Sequence, residues 1–326
     1  MVSTRVPRPA DPYGASLDAI ADTMGDRGTR RAPLGARTTY RVGGEAGLLV
    51  EVQTEDDLLD LHGALVGVGA ALPLLVLGEG SNLLVADAGF PGVVVRLGSG
   101  FDWVEIRATS VRAGAAAKLP VVARKSAAAA LHGLEWCVGV PGSVGGALRM
   151  NAGGHGSDIA TVLARYRVFD VQTGEVLEQG PEHLALGYRS SSLRESSVVT
   201  WAEFSLDRGD KARAEQAVSD IVRWRRENQP GGSNAGSVFV NPEGDSAGRL
   251  VESVGLKGLR MGSAQVSPKH ANFIQADRGG SADDVWQLIA HIRAEVLAQT
   301  GVALATEVRT VGFSDQPSPS SQGRES

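Results

Sequence analysis

Gly139-Val140-Pro141-Gly142-Ser143-Val144-Gly145-Gly146, running on to Met150-Asn151-Ala152-Gly153-Gly154, is the stretch that decides how this chain is read. Six glycines fall between positions 139 and 154. Inside regular structure each glycine costs roughly 0.5–1 kcal/mol relative to alanine. A chain that keeps so many needs positive φ or close backbone contact with a ligand. An earlier cluster, Gly78-Glu79-Gly80-Ser81-Asn82-Leu83, follows a run that reads as a strand. Its glycines let backbone N–H groups approach a phosphate, and Ser81 and Asn82 add side-chain donors. Taken alone, this cluster reads as a tight turn between strands. It is not a dinucleotide fingerprint, since Leu83 stands where the last glycine would be, nor a P-loop, since no Gly-Lys-Ser/Thr follows. Together the two clusters imply a long, flat cofactor carrying a diphosphate.

Outward from these clusters the chain alternates. Residues 47–52 read as a strand, and 55–68 as a helix capped by Thr54. Residues 72–77, 93–96 and 111–113 read as strands, with an alanine-rich helix starting near Pro120. Residues 165–170 and 198–206 read as strands on either side of a loop. Composition changes at Asp207: 211–227 is a charged, exposed helix or linker, followed by a helix at 282–300 and strands at 273–275 and 306–311. The fold class is α+β. The expected division is a mostly flexible extension at 1–32 with a short helix near 16–24, a larger domain at 33–206, a smaller one at 207–313, and a disordered tail at 314–326.

The 326 residues carry 42% apolar and 21% charged side chains, an ordinary globular profile. A net charge of -5 offers no global basic field for nucleic acid. The single cysteine, Cys137, permits no intramolecular disulfide and reads as a small buried residue. No secretory signal is visible, and the run 63–78 falls short of the ~20 residues a membrane helix needs. A cytoplasmic location without membrane insertion is expected. His132, His155 and His270 are scattered, so no metal site is expected. No G-x-S-x-G hydrolase elbow is present.

Four polar features remain: Tyr188-Arg189 in a serine-rich turn; Arg223, Arg225 and Arg226 ahead of Gln229-Pro230; the run Asn234-Ala235-Gly236-Ser237-Val238-Phe239-Val240-Asn241-Pro242; and Glu307 among apolar residues. Each has a bland reading in isolation: a surface charge, a solvated helix face, a turn serine, a wet strand face.

Read together, these runs resemble the UDP-N-acetylenolpyruvoylglucosamine reductase family. The matching runs are Thr38-Thr39-Tyr40-Arg41-Val42-Gly43-Gly44, the cluster at 77–84, the block at 139–153, Gly187-Tyr188-Arg189, 234–242, Ala247-Gly248-Arg249-Leu250, His270-Ala271-Asn272-Phe273 and Glu307-Val308. They occur in the family's order and span about 33–312. The resemblance implies an FAD-binding domain of the vanillyl-alcohol-oxidase (PCMH) type, then a smaller α+β substrate domain. Non-covalent FAD would be bordered by Gly78, Gly80, Ser81, Asn82, Leu83, Pro141, Gly142, Ser143, Gly145, Gly146, Asn151 and Gly153. NADPH would reduce the flavin and leave, and UDP-N-acetylglucosamine enolpyruvate would bind in its place. Hydride would pass to the terminal vinyl carbon, Ser237 would protonate the adjacent carbon, and Arg189 beside Glu307 would stabilise charge developing toward the substrate carboxylate. Tyr188, Arg226, Asn241 and His270 match substrate-contact positions, with Arg226 facing the UDP diphosphate. A monomer is expected. Val240 departs from the lysine, arginine or threonine of many relatives. The short spacing after Arg189 fits the subtype lacking an extra tyrosine-bearing loop. The rival readings are another flavin enzyme of the same fold, with His155 or Cys137 as a covalent anchor, and a non-catalytic flavin or nucleotide-sugar binding module.

Overall fold

The computed structural model describes residues 11–313; the first ten residues and the expected disordered tail lie outside them. The order begins earlier than expected. Helix α1 (Gly14–Met24) buries Leu17, Ile20 and Met24, and the strand Gly28–Arg30 pairs antiparallel with Ala46–Val52. The expectation of flexibility up to residue 32 is therefore corrected from Asp11 onward. Leu17, Ile20 and Met24 stand at helical spacing, enough for an apolar stripe within an otherwise polar segment.

The strand Ala46–Val52 continues into helix α2 (Glu55–Val68) through a capping box: the Thr54 hydroxyl accepts from Asp57 N–H, and the Asp57 carboxylate accepts from Thr54 N–H. Gly69 ends the helix in the left-handed region. Ala46–Val52, Phe90–Leu97 and Leu74–Leu77 lie parallel in a four-stranded sheet completed by Gly28–Arg30. Helices α1 and α2 cover one face of this sheet, burying Leu58, Leu61, Val93 and Val95.

A second, antiparallel sheet runs in the order Val176–Gln179, Leu163–Asp170, Ser197–Ser205, Ser110–Gly114, Val104–Ile106. Its edge strand Val176–Gln179 falls inside what reads as loop from the sequence; four residues alternating between exposed and half-buried carry little apolar signal. Helices α3 (Leu119–Ala128) and α4 (Val144–Arg149) share a core with this sheet. Helix α5 (Lys211–Asn228) buries Ala214 and Val218 in that same core and packs on α3. The break expected at 207 thus precedes a helix that belongs with the first core.

The second unit packs helices α6 (Ala247–Ser253) and α7 (Ala282–Thr300) on a three-stranded antiparallel sheet, Arg260–Met261, Ala264–Val266, Ile274–Ala276. Three connections mount it on the first. Tyr40, Val42 and Leu84 enter its core. The Asp87 carboxylate accepts from Ser281 Oγ and from the Ala282 N–H at the start of α7, at 2.5 and 2.9 Å. The last strand, Arg309–Val311, returns to pair parallel with Leu83–Val85. Among the described residues no helix is long and apolar enough to cross a membrane.

Candidate active site

The strand Leu74–Leu77 ends in the first glycine cluster. Gly80 adopts φ +61°, and a Cβ there would stand 2.7 Å from Thr38 Cα, so only glycine fits. The two clusters touch: a Cβ on Gly78 would lie 2.6 Å from Ser143 Oγ. Ser143 opens α4, its hydroxyl accepting from Gly146 N–H. Among the described residues the backbone N–H groups of Glu79, Gly80, Ser81 and Asn82 donate to no protein acceptor, although paired backbone donors are the rule.

Both clusters wall one cavity of about 740 Å³, within the range of cofactor and ligand sites. Gly78, Gly80, Ser81, Asn82, Leu83, Pro141, Gly142, Ser143, Gly146 and Gly153 all line it, and so do Arg189, Ser237 and Glu307. The last three come from a turn of the first unit, an irregular run of the second, and the approach to the returning strand.

Arg189 is held in the left-handed region at φ +51°. Its Nε donates to Glu307 Oε1 at 2.8 Å, Nη2 to Gly153 O at 2.8 Å and Nη1 to Asn151 O at 3.4 Å. Each Nη keeps a further N–H free of these bonds. Burial raises the Glu307 carboxyl above the ordinary carboxylate range, and Arg189 opposes the rise. Glu307 N–H donates to Val238 O at 2.7 Å, and Glu307 O accepts from the Asn82 side-chain amide at 3.1 Å. Backbone contacts therefore tie Glu307 both to the residue after Ser237 and to the first glycine cluster.

Six expected site residues lie outside this cavity's lining. Gly145 packs against Ala115, where a Cβ would approach the alanine Cβ to 3.1 Å. Asn151 is buried, its side chain joining Ala160 N, Gly187 O and Asp158; it shapes the turn that carries Arg189. Tyr188 is 62% exposed, its ring 5.0 Å from the Arg189 guanidinium carbon. Asn241 accepts from Ala247 N–H at the start of α6. The His270 ring accepts from Asn272 N–H. Arg226 is exposed, and Arg225 lines the cavity instead.

A family model described as the C-terminal domain of UDP-N-acetylenolpyruvoylglucosamine reductase matches residues 228–311, and an FAD binding domain model matches 46–180. The UDP-N-acetylenolpyruvoylglucosamine reductase of Heliobacterium modesticaldum is 40% identical over 288 residues, covering 87% of this chain and 91% of its own length. That of Symbiobacterium thermophilum, numbered 2 in that organism, is 42% identical over 285 residues, 87% of this chain and 92% of its own. The chain belongs to the UDP-N-acetylenolpyruvoylglucosamine reductase family. A crystal structure of the family's enzyme from Thermus caldophilus superposes with a TM-score of 0.76 at 36% identity, covering 87% of this chain and 98% of that one.

The cofactor of this family fits the residues present. The N–H groups of residues 79–82 stand without protein acceptors beside the cavity, a donor set suited to a diphosphate. Four further wall residues are absent from the expected site set: Trp224, Arg225 and Gln229 of the arginine-rich run, and His155, which the sequence offers only as a covalent anchor in a rival reading. Arg225 donates to Gln229 Oε1 at 2.7 Å, and burial lowers its guanidinium below the usual value. Trp224, 46% exposed, meets the His155 ring edge-on at 5.1 Å. One signal could have chosen Arg225 over Arg226: Ala214, Val218 and Ile221, which all pack into the first core, lead to it at helical spacing.

Proposed function

We propose that the cavity reduces the enolpyruvyl ether of UDP-N-acetylglucosamine enolpyruvate, with Ser237 as proton donor, Arg189 as carboxylate anchor and Glu307 as the group that orients Arg189. The activity is that of the family: NADPH-dependent, FAD-mediated reduction to UDP-N-acetylmuramate, an oxidoreductase step of peptidoglycan precursor synthesis. One observation carries the assignment of residues. Three polar side chains from separate parts of the chain share one cavity with both glycine clusters, and two of them are joined at 2.8 Å.

Bound FAD, once reduced by NADPH, supplies the hydride. Arg189 meets the charge that then develops on the substrate carboxylate, since its free Nη donors form the planar fork a carboxylate accepts. The Ser237 hydroxyl gives its proton to the carbon next to that carboxylate, and solvent returns a proton to the serine. The double bond is consumed and two C–H bonds form. Ser237 is a weak acid, so its contribution depends on position. Glu307 holds Arg189 through Nε, and beyond the bonds to Asn151 O and Gly153 O one N–H on each Nη remains for substrate.

FAD is bound without a covalent link. Cys137 is fully buried, and burial pushes its thiol well above the ordinary value. His155, a cavity-wall residue, has its ring against Trp224. Acid precipitation is expected to release the flavin into the supernatant; flavin retained in the pellet overturns this. We take the enzyme to be a cytoplasmic monomer, with sedimentation as the check on its size. The deciding experiment is anaerobic turnover. NADPH oxidation beyond the one equivalent that reduces the flavin is expected only when the enolpyruvyl substrate is present, and continuing NADPH consumption that ignores the substrate sinks the reading.

A further inference from the structure

Among the described residues the Ser237 hydroxyl makes no hydrogen bond. Its N-terminal neighbour, Gly236, sits at φ +76° with open space around it. The N-terminal side holds the serine through one local bond, Gly236 N–H to Asn234 Oδ1 at 3.0 Å, and through Ala235 buried in the second unit's core; the hold on the residues that directly follow it is on the C-terminal side. There the chain is clamped. Val238 N–H donates to Asn272 O at 2.9 Å. Phe239 N–H donates to Asn272 Oδ1 at 2.9 Å, and Asn272 Nδ2 donates back to Phe239 O at 2.9 Å. Asn272 thus pairs with residues 238–239 as a neighbouring strand would, although the strand proper begins only at Ile274–Ala276. On the other side Val238 O accepts from Glu307 N–H, and Val240 N–H donates to Ala305 O.

Only an amide supplies this pairing. It carries a donor and an acceptor side by side; a carboxylate has no donor and an apolar side chain has neither. Asn272 is 4% exposed, so water does not replace a lost partner. Its own N–H donates to His270 Nδ1 at 3.2 Å, which requires that nitrogen to be the unprotonated one. Burial lowers the His270 pKa, which agrees with a neutral ring.

We propose that Asn272, seated on His270 Nδ1, is a positioning residue that sets where the Ser237 hydroxyl stands against the cavity. This rests on Ser237 being the proton donor. It assigns His270 a place behind the serine, in keeping with its position outside the cavity lining.

The test separates the two half-reactions in the flavin-bound enzyme by rapid mixing. In Asn272→Ala, flavin reduction by NADPH stays within about twofold, while reoxidation by the enolpyruvyl substrate slows about 10- to 100-fold. In a Ser237→Ala background the same substitution adds no further slowing, because residues that act through one group are not additive. Asn272→Asp keeps the acceptor for Phe239 N–H and removes the donor, so it serves if the alanine variant does not fold. Amide exchange at Phe239, followed by mass spectrometry on holoenzyme, should quicken in either variant. His270→Ala is expected to give a milder form of the same signature, and His270→Asn, which retains an acceptor where Nδ1 stood, to restore the rate. Equal slowing of both half-reactions, or full slowing retained in the Ser237→Ala background, overturns the proposal. If Ser237→Ala alone reoxidises at the normal rate, the failure is that of the serine assignment and not of the clamp.

Discussion

The two walls of the cavity are built on opposite principles. On the first unit's wall the working groups are main chain: glycines that admit a close approach, and N–H groups at 79–82 turned away from protein partners. On the second unit's wall the proposed working groups are side chains, Ser237 and Glu307, held by backbone hydrogen bonds to residues distant in sequence, with Arg189 reaching Glu307 from the first unit. Backbone recognition tolerates any side chain that leaves the path intact and fails when a Cβ intrudes. Side-chain chemistry tolerates small backbone shifts poorly and fails when one functional group is lost. Substitutions on one wall should therefore empty the cofactor site, and substitutions on the other should leave it full but slow.

The largest effect should come from Ser237→Ala. General acids contribute roughly 10²–10⁴-fold, so reoxidation by the enolpyruvyl substrate should fall by that order while reduction by NADPH and flavin content persist. A variant that loses flavin, or slows both half-reactions alike, erases the contrast between the walls. Arg189→Lys should follow, with a loss on the order of 10²–10³ in kcat from removing the fork that meets developing charge. Because Arg189 also reaches Asn151 O and Gly153 O on the glycine wall, this variant should weaken flavin retention slightly.

A glycine pair sharpens the comparison further. Gly80 and Gly236 both sit at positive φ, +61° and +76°. At Gly80 an added methyl meets Thr38 Cα, whereas at Gly236 nothing lies within 4 Å. Gly80→Ala should destabilise by about 1–3 kcal/mol or more, since the loop must move as well as bear strain. The purified protein should carry less than one flavin per chain. Gly236→Ala should cost only the strain, about 1–2 kcal/mol, and keep its flavin. Absorbance of bound flavin against protein decides it, and the reverse ranking contradicts the division of labour.

Much of this was legible where the determinant is local. Thr54 and Asp57 write a helix start into four residues, and Ser281 with Gly301 frames α7 at both ends. The glycine clusters announced a ligand because glycine's penalty needs a return. What stayed hidden is non-local. Nothing near Arg309 says that its strand pairs with Leu83–Val85, more than two hundred residues earlier, yet that pairing brings Glu307 to the cavity. Gly145 stands beside Gly146 in sequence, and one packs on Ala115 while the other faces the cavity. Arg226 and Arg225 differ by a helical step that charge counting ignores. Asn272 looks like a loop residue until its amide is seen against Phe239.

The smallest effect tests the charge side of the second wall. Burial raises the Glu307 pKa and Arg189 only partly offsets it, so folding penalises the ionised carboxylate. That penalty is absent while the carboxyl is protonated in both states, below the ordinary glutamate value of about 4.3. It develops as pH rises from there through the raised folded-state value. Glu307→Gln removes the ionisation and keeps an oxygen for Arg189 Nε. At neutral pH its melting temperature should match or exceed wild type by a few degrees, on the order of 1 kcal/mol, and the gain should vanish near pH 4. Turnover should fall nonetheless, because a neutral amide holds the guanidinium less firmly than a carboxylate. A variant less stable than wild type at neutral pH, with the deficit closing on acidification, would mean that the Arg189 ion pair outweighs burial. The second wall would then be stabilised by the charges it uses.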